Sequence, residues 1–262
     1  MNSLPDTKKR ALITGAANGL GKSLALRMAN AGYEIIAVDF DHEGLLRLHH
    51  DIVTDLRAME LDFSKRDALD YACEKICANG PYDRVFLSAG ISATGPFEDI
   101  PIDKHHDVMS VNLCAPMMLA NQLAAKGAMK DHSRLVFISS LSHVTGYPGA
   151  ASYAATKDAL AIYSKSISGP FRRLGIHVMC VFPGPIKTDH AERYSPDDAS
   201  DKNRMEPSVL AKQIVRAAAR RKKVYYPGMP AKLARIANAI APVWLTGKIR
   251  QTLFEKLDRV RT

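Results

Sequence analysis

The strongest constraint on the fold is an alternation of short apolar runs, rich in β-branched residues, with longer segments of helical periodicity. The apolar runs are Ala11–Thr14, Glu34–Phe40, Arg57–Asp62, Arg84–Ser88, Arg134–Ser139 and His177–Phe182. The helical segments between them are Gly21–Ala31, Asp41–His50, Lys65–Asn79, Asp103–Lys130 and Ser152–Leu174. Strands that alternate with helices build a parallel sheet covered on both faces. We therefore predict an α/β domain with a doubly wound parallel sheet.

The chain changes character after the sixth apolar run. Gly184–Glu206 is rich in charged residues and lacks periodicity, so we predict a long irregular loop, a kind of segment that often covers a binding site. Pro207–Lys222 follows as a helix, and Val224–Tyr226 is a candidate edge strand. We divide the chain into one domain over residues 1–228 and a basic helical extension over residues 229–262.

Charge is distributed unevenly along the 262 residues. The formal net charge is +9, but residues 202–262 hold 15 Lys and Arg against 3 Asp and Glu, a net of +12, while residues 1–201 carry −3. A basic segment of this kind is compatible with an anionic partner surface. Because no interleaved aromatic residues or nucleic-acid motif accompany the charge, we predict no nucleic-acid binding.

The extension permits several interpretations. Two helical candidates in residues 231–262 are separated by Thr246–Gly247, and the second carries an apolar stripe formed by Ile249, Leu253, Leu257 and Val260. Such a helix can dock on a neighbouring subunit or cover the substrate pocket. It can also lie on an anionic membrane and bring the protein to a lipophilic carbonyl or alcohol, with Trp244 at the interface.

The cysteines and the N-terminal residues predict the compartment. Four cysteines, at positions 73, 77, 114 and 180, have neither paired spacing nor metal-ligand partners, which favours free thiols and no metal site. The stretch before Ala11 is polar, and no run has membrane-spanning length, so we expect neither a secretory signal nor a transmembrane helix. We expect a cytoplasmic protein, with membrane contact only through the extension.

A glycine-rich turn follows the first apolar run and precedes a helical segment. Its sequence, Thr14-Gly15-Ala16-Ala17-Asn18-Gly19-Leu20-Gly21, lets backbone N–H groups approach a phosphate closely at a helix N-terminus. Asp39 ends the second run about twenty residues after the glycines, where a carboxylate binds the adenosine ribose hydroxyls and repels a 2′-phosphate. We predict NAD(H) as the preferred cofactor and NADP(H) as the alternative; Asp39 could instead cap the next helix.

Tyr153 and Lys157 lie one helical turn apart, with Ser140 thirteen residues upstream at the end of the fifth run. A tyrosine beside an ammonium group can exchange a proton with a carbonyl oxygen, and a serine can polarise that oxygen. Tyr71 and Lys75 have the same spacing, but thirteen residues before Tyr71 stands an alanine. We interpret Tyr71 and Lys75 as an ordinary surface pair.

These motifs together resemble the short-chain dehydrogenase/reductase family, from about Ala11 to Thr188. The matching positions, in order, are Thr14-Gly15 with Gly19 and Gly21, Asp62, Ala89-Gly90, Asn112, Ser140, Tyr153 with Lys157, and Pro183-Gly184 with Thr188. The resemblance implies a Rossmann-type fold and an oxidoreductase that acts on CH–OH donors. The family usually has Asn-Ala-Gly after the fourth strand, and here Ser88 replaces the Asn, for which we expect a modest effect on sheet stability or cofactor geometry.

The resemblance also implies a role for each residue. Tyr153 would be the acid in reduction and the base in oxidation, Lys157 would lower the pKa of Tyr153 and hold the nicotinamide ribose, Ser140 would bind the substrate oxygen, and Asn112 would position a water linked to Lys157. The cofactor would contact Thr14, Gly15, Asn18, Gly19, Leu20, Gly21, Asp39, Asp62, Ala89, Gly90, Tyr153, Lys157, Pro183, Gly184, Ile186 and Thr188. His143 and Tyr147 would lie along the substrate pocket.

We therefore predict hydride transfer between NAD(H) and a carbonyl or secondary alcohol. Two alternatives are an NADP(H)-dependent ketoreductase of a lipophilic or acyl substrate at a membrane surface, and a dinucleotide-binding regulator without turnover. Family resemblance further suggests a homodimer or homotetramer formed through the helices that begin near Asp103 and Ser152. No motif in the loop or the extension identifies the substrate.

Overall fold

The computed structural model describes residues 8–147, 149–195, 204–241, 243–244, 247 and 260–262. Seven parallel strands form a sheet in the order β3-β2-β1-β4-β5-β6-β7. Their bounds are Arg10–Thr14 (β1), Glu34–Asp39 (β2), Leu56–Glu60 (β3), Tyr82–Leu87 (β4), Met129–Ile138 (β5), His177–Val181 (β6) and Val224–Tyr225 (β7). The predicted doubly wound sheet is confirmed, including the edge strand β7.

Ten α-helices surround the sheet in the described part of the chain. They are Gly19–Ala29 (α1), His42–Asp51 (α2), Leu69–Ala78 (α3), Ile102–Met109 (α4), Ala115–Ala125 (α5), Ser142–Thr145 (α6), Ala151–Arg173 (α7), Asp189–Arg193 (α8), Pro207–Ala219 (α9) and Gly228–Ile240 (α10). Helices α1, α2 and α9 cover one face of the sheet, and α3, α5 and α7 cover the other. Because side chains alternate along a strand, Leu12 packs into the second layer and its neighbour Ile13 into the first.

The strand order creates a crevice between β1 and β4. These strands pair directly, with Thr14 opposite Leu87, although β2 and β3 lie between them in the sequence. The connections that leave β1 and β4 run to opposite faces of the sheet, so their carboxyl ends border an open crevice. Ligands of doubly wound folds bind at such a switch point.

Two predicted segments are corrected by the structure. The helix predicted over Asp103–Lys130 begins at Ile102 and ends at Ala125, because Gly127 adopts a left-handed conformation with φ of +60° and β5 begins at Met129. Its α4 and α5 parts are joined by a π-helical turn, Ser110–Cys114. The loop predicted over Gly184–Glu206 contains the short helix α8, and its residues 196–203 lie outside the described part.

The continuous helical stretch Ile102–Ala125 is long and apolar enough to cross a membrane, which corrects the expectation that no such run exists. Core helices of globular domains meet the same criterion. Half of the apolar window is buried, and α5 contributes Leu119 and Leu123 to the layer under the sheet. Its packing is that of a core helix.

Candidate active site

The glycine-rich turn lines one side of the crevice. Gly15 and Gly19 have φ of +69° and +52°, and a Cβ on Gly21 would stand 1.8 Å from the Gly15 carbonyl oxygen. The first two positions therefore favour glycine by backbone conformation, and the third requires it by close packing. Helix α1 begins at Gly19, so its unpaired N–H groups lie at the crevice, where they can bind a phosphate.

The end of β4 is held against this turn. The Thr14 hydroxyl oxygen accepts hydrogen bonds from the backbone N–H groups of Ser88 (3.0 Å) and Ala89 (3.1 Å). A Cβ on Gly15 would lie 2.8 Å from the Ala89 Cα. The backbone N–H of Ser88, the residue that replaces the family's Asn, thus joins the two strand ends. Two residues after Ser88, Gly90 lies close to Lys157: a Cβ at this position would stand 3.3 Å from the Lys157 ammonium.

Asp39 stands at the end of β2, beside the turn. Its carboxylate accepts hydrogen bonds from the backbone N–H groups of Ala17 (2.9 Å) and Asp41 (3.1 Å). Burial raises the pKa of Asp39, and these backbone bonds oppose the shift. The N-cap of α2 is Asp41, which accepts from the Gly44 N–H at 2.9 Å. Asp39 is therefore not the cap of this helix.

The remaining predicted cofactor residues border the crevice from two other strand ends. Thr188 approaches the glycine turn so closely that a Cβ on Gly19 would lie 3.0 Å from its methyl carbon. The Thr188 hydroxyl also caps α8 by accepting from the Ala191 N–H at 3.1 Å. Pro183, Gly184 and Ile186 lead from β6 to this cap. Asp62 follows β3 and accepts from the Ser64 N–H at 2.9 Å.

Tyr153, Lys157 and Ser140 meet at the carboxyl end of β5. The Lys157 ammonium lies 5.5 Å from the centroid of the Tyr153 ring and donates a hydrogen bond to the Ile138 carbonyl at 3.1 Å. The Ser140 side chain is hydrogen-bonded to the Tyr153 hydroxyl. Ser140 Oγ also accepts from the Ser142 N–H at 3.1 Å, which orients the hydroxyl within its loop.

Burial dominates the protonation of this group. It raises the pKa of Tyr153, although the hydrogen bond from Ser140 opposes the shift. Burial also lowers the pKa of Lys157 to about 8. Without a bound ligand the tyrosine therefore carries its proton at neutral pH, as an acid for reduction requires.

Asn112 lies in the π-helical turn and is buried. Its side-chain oxygen accepts from the Ile91 N–H at 2.9 Å, and its amide donates to the Ile91 carbonyl at 2.9 Å and to the Thr156 hydroxyl at 3.3 Å. These bonds tie the loop after β4 to α7. In a regular α-helix the Asn112 carbonyl would accept from residue 116, but Pro116 has no N–H to donate.

The substrate side contains two residues that the sequence did not identify, His190 and Tyr194. Their rings lie 4.7 Å apart on α8 and at its end. Desolvation by nearby protein atoms, with the positive charges of Lys157 and Arg193, lowers the pKa of His190 to about 4, although the residue as a whole is exposed. A neutral His190 therefore borders the site at physiological pH. No sequence motif predicts that these residues lie at the site, because the folding of the loop after β6 places them there.

Two predicted pocket residues have different environments. The rings of His143 and Phe182 lie 4.3 Å apart, and the His143 ring nitrogens face the Tyr226 hydroxyl at 3.0 Å and the Asp158 carboxylate at 3.5 Å. These contacts make His143 a packing residue between α6 and the end of β7. Tyr147 is largely surrounded by protein, and burial raises its pKa while Arg204 opposes the shift.

The second Tyr–Lys pair is on the surface, as predicted. The Tyr71 side chain is exposed on α3, and the Lys75 ammonium lies 4.8 Å from its ring centroid. No strand end or glycine turn contributes to this pair. Identical spacing thus yields a solvated pair on α3 and a buried one on α7.

A family profile described as short chain dehydrogenase matches residues 9–199. The chain belongs to the short-chain dehydrogenase/reductase family. It is 28% identical over 190 residues to the 3-oxoacyl-(acyl-carrier-protein) reductase of Escherichia coli strain K12, covering 72% of this chain and 78% of that one. This short-chain dehydrogenase/reductase is thus an NAD(P)-dependent oxidoreductase.

Solved structures share the fold of this dehydrogenase/reductase. A short-chain dehydrogenase from Sphingobium yanoikuyae in complex with NADPH aligns with a TM-score of 0.76 at 21% identity, covering 90% of this chain and 94% of that one. A 3-ketoacyl-(acyl-carrier-protein) reductase from Brucella melitensis complexed with NADH aligns with a TM-score of 0.71 at 24% identity, covering 83% and 95%. Proteins of this fold therefore bind either dinucleotide.

Proposed function

We propose that this short-chain dehydrogenase/reductase transfers a hydride between NAD(H) and a ketone or secondary alcohol, with Tyr153 exchanging the proton at the substrate oxygen. The observation that carries the proposal is the meeting of Tyr153, Ser140 and Lys157 at the crevice, where two partly buried hydroxyls lie beside a buried ammonium. A bound dinucleotide supplies the hydride in reduction and accepts it in oxidation.

In reduction the carbonyl carbon gains the hydride and the carbonyl oxygen gains a proton. The Tyr153 hydroxyl donates that proton, and the same group removes it in oxidation. The Ser140 hydroxyl donates a hydrogen bond to the substrate oxygen while negative charge develops there. The bond between Ser140 and Tyr153 keeps both hydroxyls close to a single oxygen position.

Lys157 holds the charge that Tyr153 develops when it loses its proton. The ammonium is anchored by the Ile138 carbonyl, which holds it 5.5 Å from the centroid of the Tyr153 ring. We assign Asn112 to the return of the proton through a water linked to Lys157, since a Cβ on Gly90 would lie 3.3 Å from the Lys157 ammonium and 3.4 Å from the Asn112 side-chain oxygen. The Asn112 side chain fixes this position through Ile91 and Thr156.

The cofactor would lie across the glycine turn, with its adenosine ribose at Asp39 and its nicotinamide near Lys157 and Thr188. The Asp39 carboxylate beside the turn supports NAD(H), because a 2′-phosphate there would meet a negative charge. One neighbouring contact supports the alternative: Arg47 lies 3.5 Å from Asp41 and could turn towards a 2′-phosphate, which favours NADP(H).

The test of this function replaces Tyr153 with phenylalanine. Tyr153→Phe should lower kcat for ketone reduction by roughly 10²- to 10⁴-fold, because the proton donor is lost while the ring remains. NADH affinity, measured by calorimetry, should change little. Tyr71→Phe, in the surface pair of identical spacing, is the matched control and should retain wild-type turnover.

The outcomes separate the candidate functions. Retained turnover in Tyr153→Phe would overturn the mechanism. Tight NADH binding without turnover of any ketone or alcohol in the wild-type protein would favour a dinucleotide-binding regulator. Loss of NADH binding in Tyr153→Phe would mean that the ring mainly supports the cofactor site.

We also propose a cytoplasmic homodimer or homotetramer. Exposed apolar side chains on α4 and α7, Met109 and Ile162, support contact between copies through these helices, where burial removes apolar surface from water. The free thiols found among the described residues are compatible with a reducing compartment. A molecular mass in solution equal to that of two or four chains would support this assembly.

The extension supports peripheral contact with an anionic membrane. Helix α10 packs against α6 and buries Ala231, while its opposite side exposes Met229 (62%), Leu233 (57%), Ile236 (54%) and Ile240 (79%). Spacings of four, three and four residues place them in one apolar stripe. The surrounding residues 202–262 carry a net charge of +12, which complements anionic lipid but opposes a second copy of the same surface. The stripe predicted over Ile249, Leu253 and Leu257 lies outside the described residues.

A further inference from the structure

Residues 260–262 return to the active site from the far end of the chain. Arg261 pairs with Thr94 in an antiparallel bridge: the Thr94 N–H donates to the Arg261 carbonyl at 2.9 Å, and the Arg261 N–H donates to the Thr94 carbonyl at 2.7 Å. Thr94 is fully buried, so the bridge lies inside the fold. Two reciprocal backbone bonds fix the register of the segment.

The bridge brings Val260 into an apolar cluster beside the proposed proton donor. The buried members of this cluster are Ala93, Ile100 and Val108, and its partly buried members are Ile91, Tyr153 and Val260. Val260 and Tyr153 therefore pack against the same buried side chains. Among the described pieces of the extension, α10 presents an exposed stripe and residues 260–262 reach the site.

The same loop is also tied to the segment that precedes Tyr153. The Gly95 N–H donates to the Gly149 carbonyl at 3.0 Å, one residue beyond the Thr94 bridge. Hydrogen bonds thus join residues 94–95, 149 and 261, which lie in the segments that follow β4 and β5 and in the extension. A shift of Arg261 would move Thr94 and, through it, the apolar side chains near Tyr153.

The cofactor side and the substrate side of Tyr153 are distinct. The glycine turn, Asp39 and Thr188 border the crevice between β1 and β4, and the Lys157 ammonium lies close to Gly90. A substrate must reach the Tyr153 hydroxyl from the side that the cofactor leaves open. The apolar cluster with Val260 packs against Tyr153 and contains none of these cofactor-site residues.

We infer that Val260, held by the Arg261–Thr94 bridge, forms a wall of the substrate pocket and limits the size of the apolar group next to the reacting carbonyl. This inference rests on the proposed function and specifies its substrate class: a ketone or secondary alcohol with an apolar substituent. The aliphatic side chains of the cluster favour an apolar substituent, because its burial against them removes apolar surface from water.

The test compares 2-butanone with 2-octanone as substrates, with NADH at saturation. Val260→Ala should raise the ratio of kcat/KM for 2-octanone over that for 2-butanone by about tenfold, and Val260→Phe should lower it by a similar factor, since one or two methylene groups in an apolar pocket change selectivity by this order. Ile240→Ala, in the exposed stripe of α10, is the matched control and should leave the ratio unchanged.

The bridge is tested with Arg261→Pro and Arg261→Ala. Proline removes the N–H that bonds to Thr94, so KM for 2-octanone should rise several-fold while the affinity for NADH is kept. Alanine keeps the N–H, so its KM should rise less than that of Arg261→Pro. Equal selectivity ratios in the wild type and both Val260 variants would overturn the inference.

A readout without turnover separates this inference from the proposed function. Amide hydrogen exchange is measured in Tyr153→Phe saturated with NADH, with and without 2-octanone. Slower exchange at Thr94 and Arg261 in the presence of the ketone supports the pocket wall, even if no variant turns over. Unchanged exchange at both amides, with the ketone shown to bind, overturns it; absence of turnover in the wild type overturns only the proposed function.

Discussion

At the scale of single residues, Lys157 places an ionisable group where the fold disfavours its charge. Its side chain is 4% exposed, and burial lowers the pKa of its ammonium from 10.5 to about 8. Since the folded state binds fewer protons than the unfolded state between these values, the free energy of unfolding rises with pH across that window. Below pH 8 the protein carries the full cost of the buried charge, about 3 kcal/mol.

This cost predicts that Lys157→Met is more stable than the wild type at pH 7, by about 1–3 kcal/mol, because methionine fills the space without a charge. The advantage should shrink as the pH approaches 10, because the folded protein then releases the Lys157 proton and no longer buries a charge. Urea unfolding at pH 7 and at pH 10 measures both differences. Lys75→Met on the surface of α3 is the control, expected within about 0.5 kcal/mol of the wild type. An equal advantage at both pH values would contradict the argument.

Asp39 is the residue on which the cofactor preference depends. Its carboxylate is fixed by two backbone N–H groups, so it cannot easily rotate away from an incoming 2′-phosphate. Arg47 and Asp41 form a pair nearby that could oppose this effect. The balance between one fixed carboxylate and one movable guanidinium decides which dinucleotide binds better.

We expect the wild type to bind NADH at least tenfold more tightly than NADPH in calorimetric titrations. Asp39→Asn should reduce that ratio by about tenfold or more, because the amide keeps the hydrogen bond with Ala17 but removes the charge that repels a 2′-phosphate. Asp55→Asn removes the same charge at the opposite end of the sheet and serves as the control. Equal affinities for NADH and NADPH in the wild type would reject the role of Asp39.

At the scale of secondary-structure elements, the sequence pattern predicted those features that depend on residues close together in the chain. The strands follow short apolar runs, and Tyr153 and Lys157 meet because residues four apart share a side of α7. The predicted end of α5 was wrong because apolar periodicity continues past Ala125, whereas the left-handed Gly127 stops the helix. Short helices such as α8 escape prediction, since one capping hydroxyl on Thr188 outweighs a weak pattern.

Contacts between distant segments could not be predicted in the same way. The pairing of Thr94 with Arg261 depends on the path of the whole chain, and no composition or spacing marks either residue. His190 likewise borders the site only because α8 folds back after β6. For the catalytic group, in contrast, Ser140 follows the end of β5 by two residues and Tyr153 lies in the first turn of α7, so their approach follows from the α/β topology itself.

At the scale of the whole molecule, the uneven charge gives the protein a preferred orientation near a charged surface. Residues 1–201 carry −3 and residues 202–262 carry +12. An anionic bilayer therefore attracts the end of the chain that exposes the apolar stripe of α10, with Val243 and Trp244 also exposed just beyond it. Attraction and apolar burial act on the same segment, which is the arrangement that holds amphipathic helices at membranes.

We expect the protein to co-sediment with vesicles that contain one third phosphatidylserine and to bind pure phosphatidylcholine vesicles at least fivefold more weakly. Leu233→Glu should lower binding to the anionic vesicles by a similar factor, because it adds negative charge and removes apolar contact in the stripe. Val53→Glu makes the same change at a fully exposed position of the acidic part and is the control.

Raising the salt concentration to 1 M should weaken binding, since the Debye length falls to about 3 Å. Equal binding to both vesicle types, or no loss in Leu233→Glu, would mean that another apolar surface, such as that of a protein partner, covers α10.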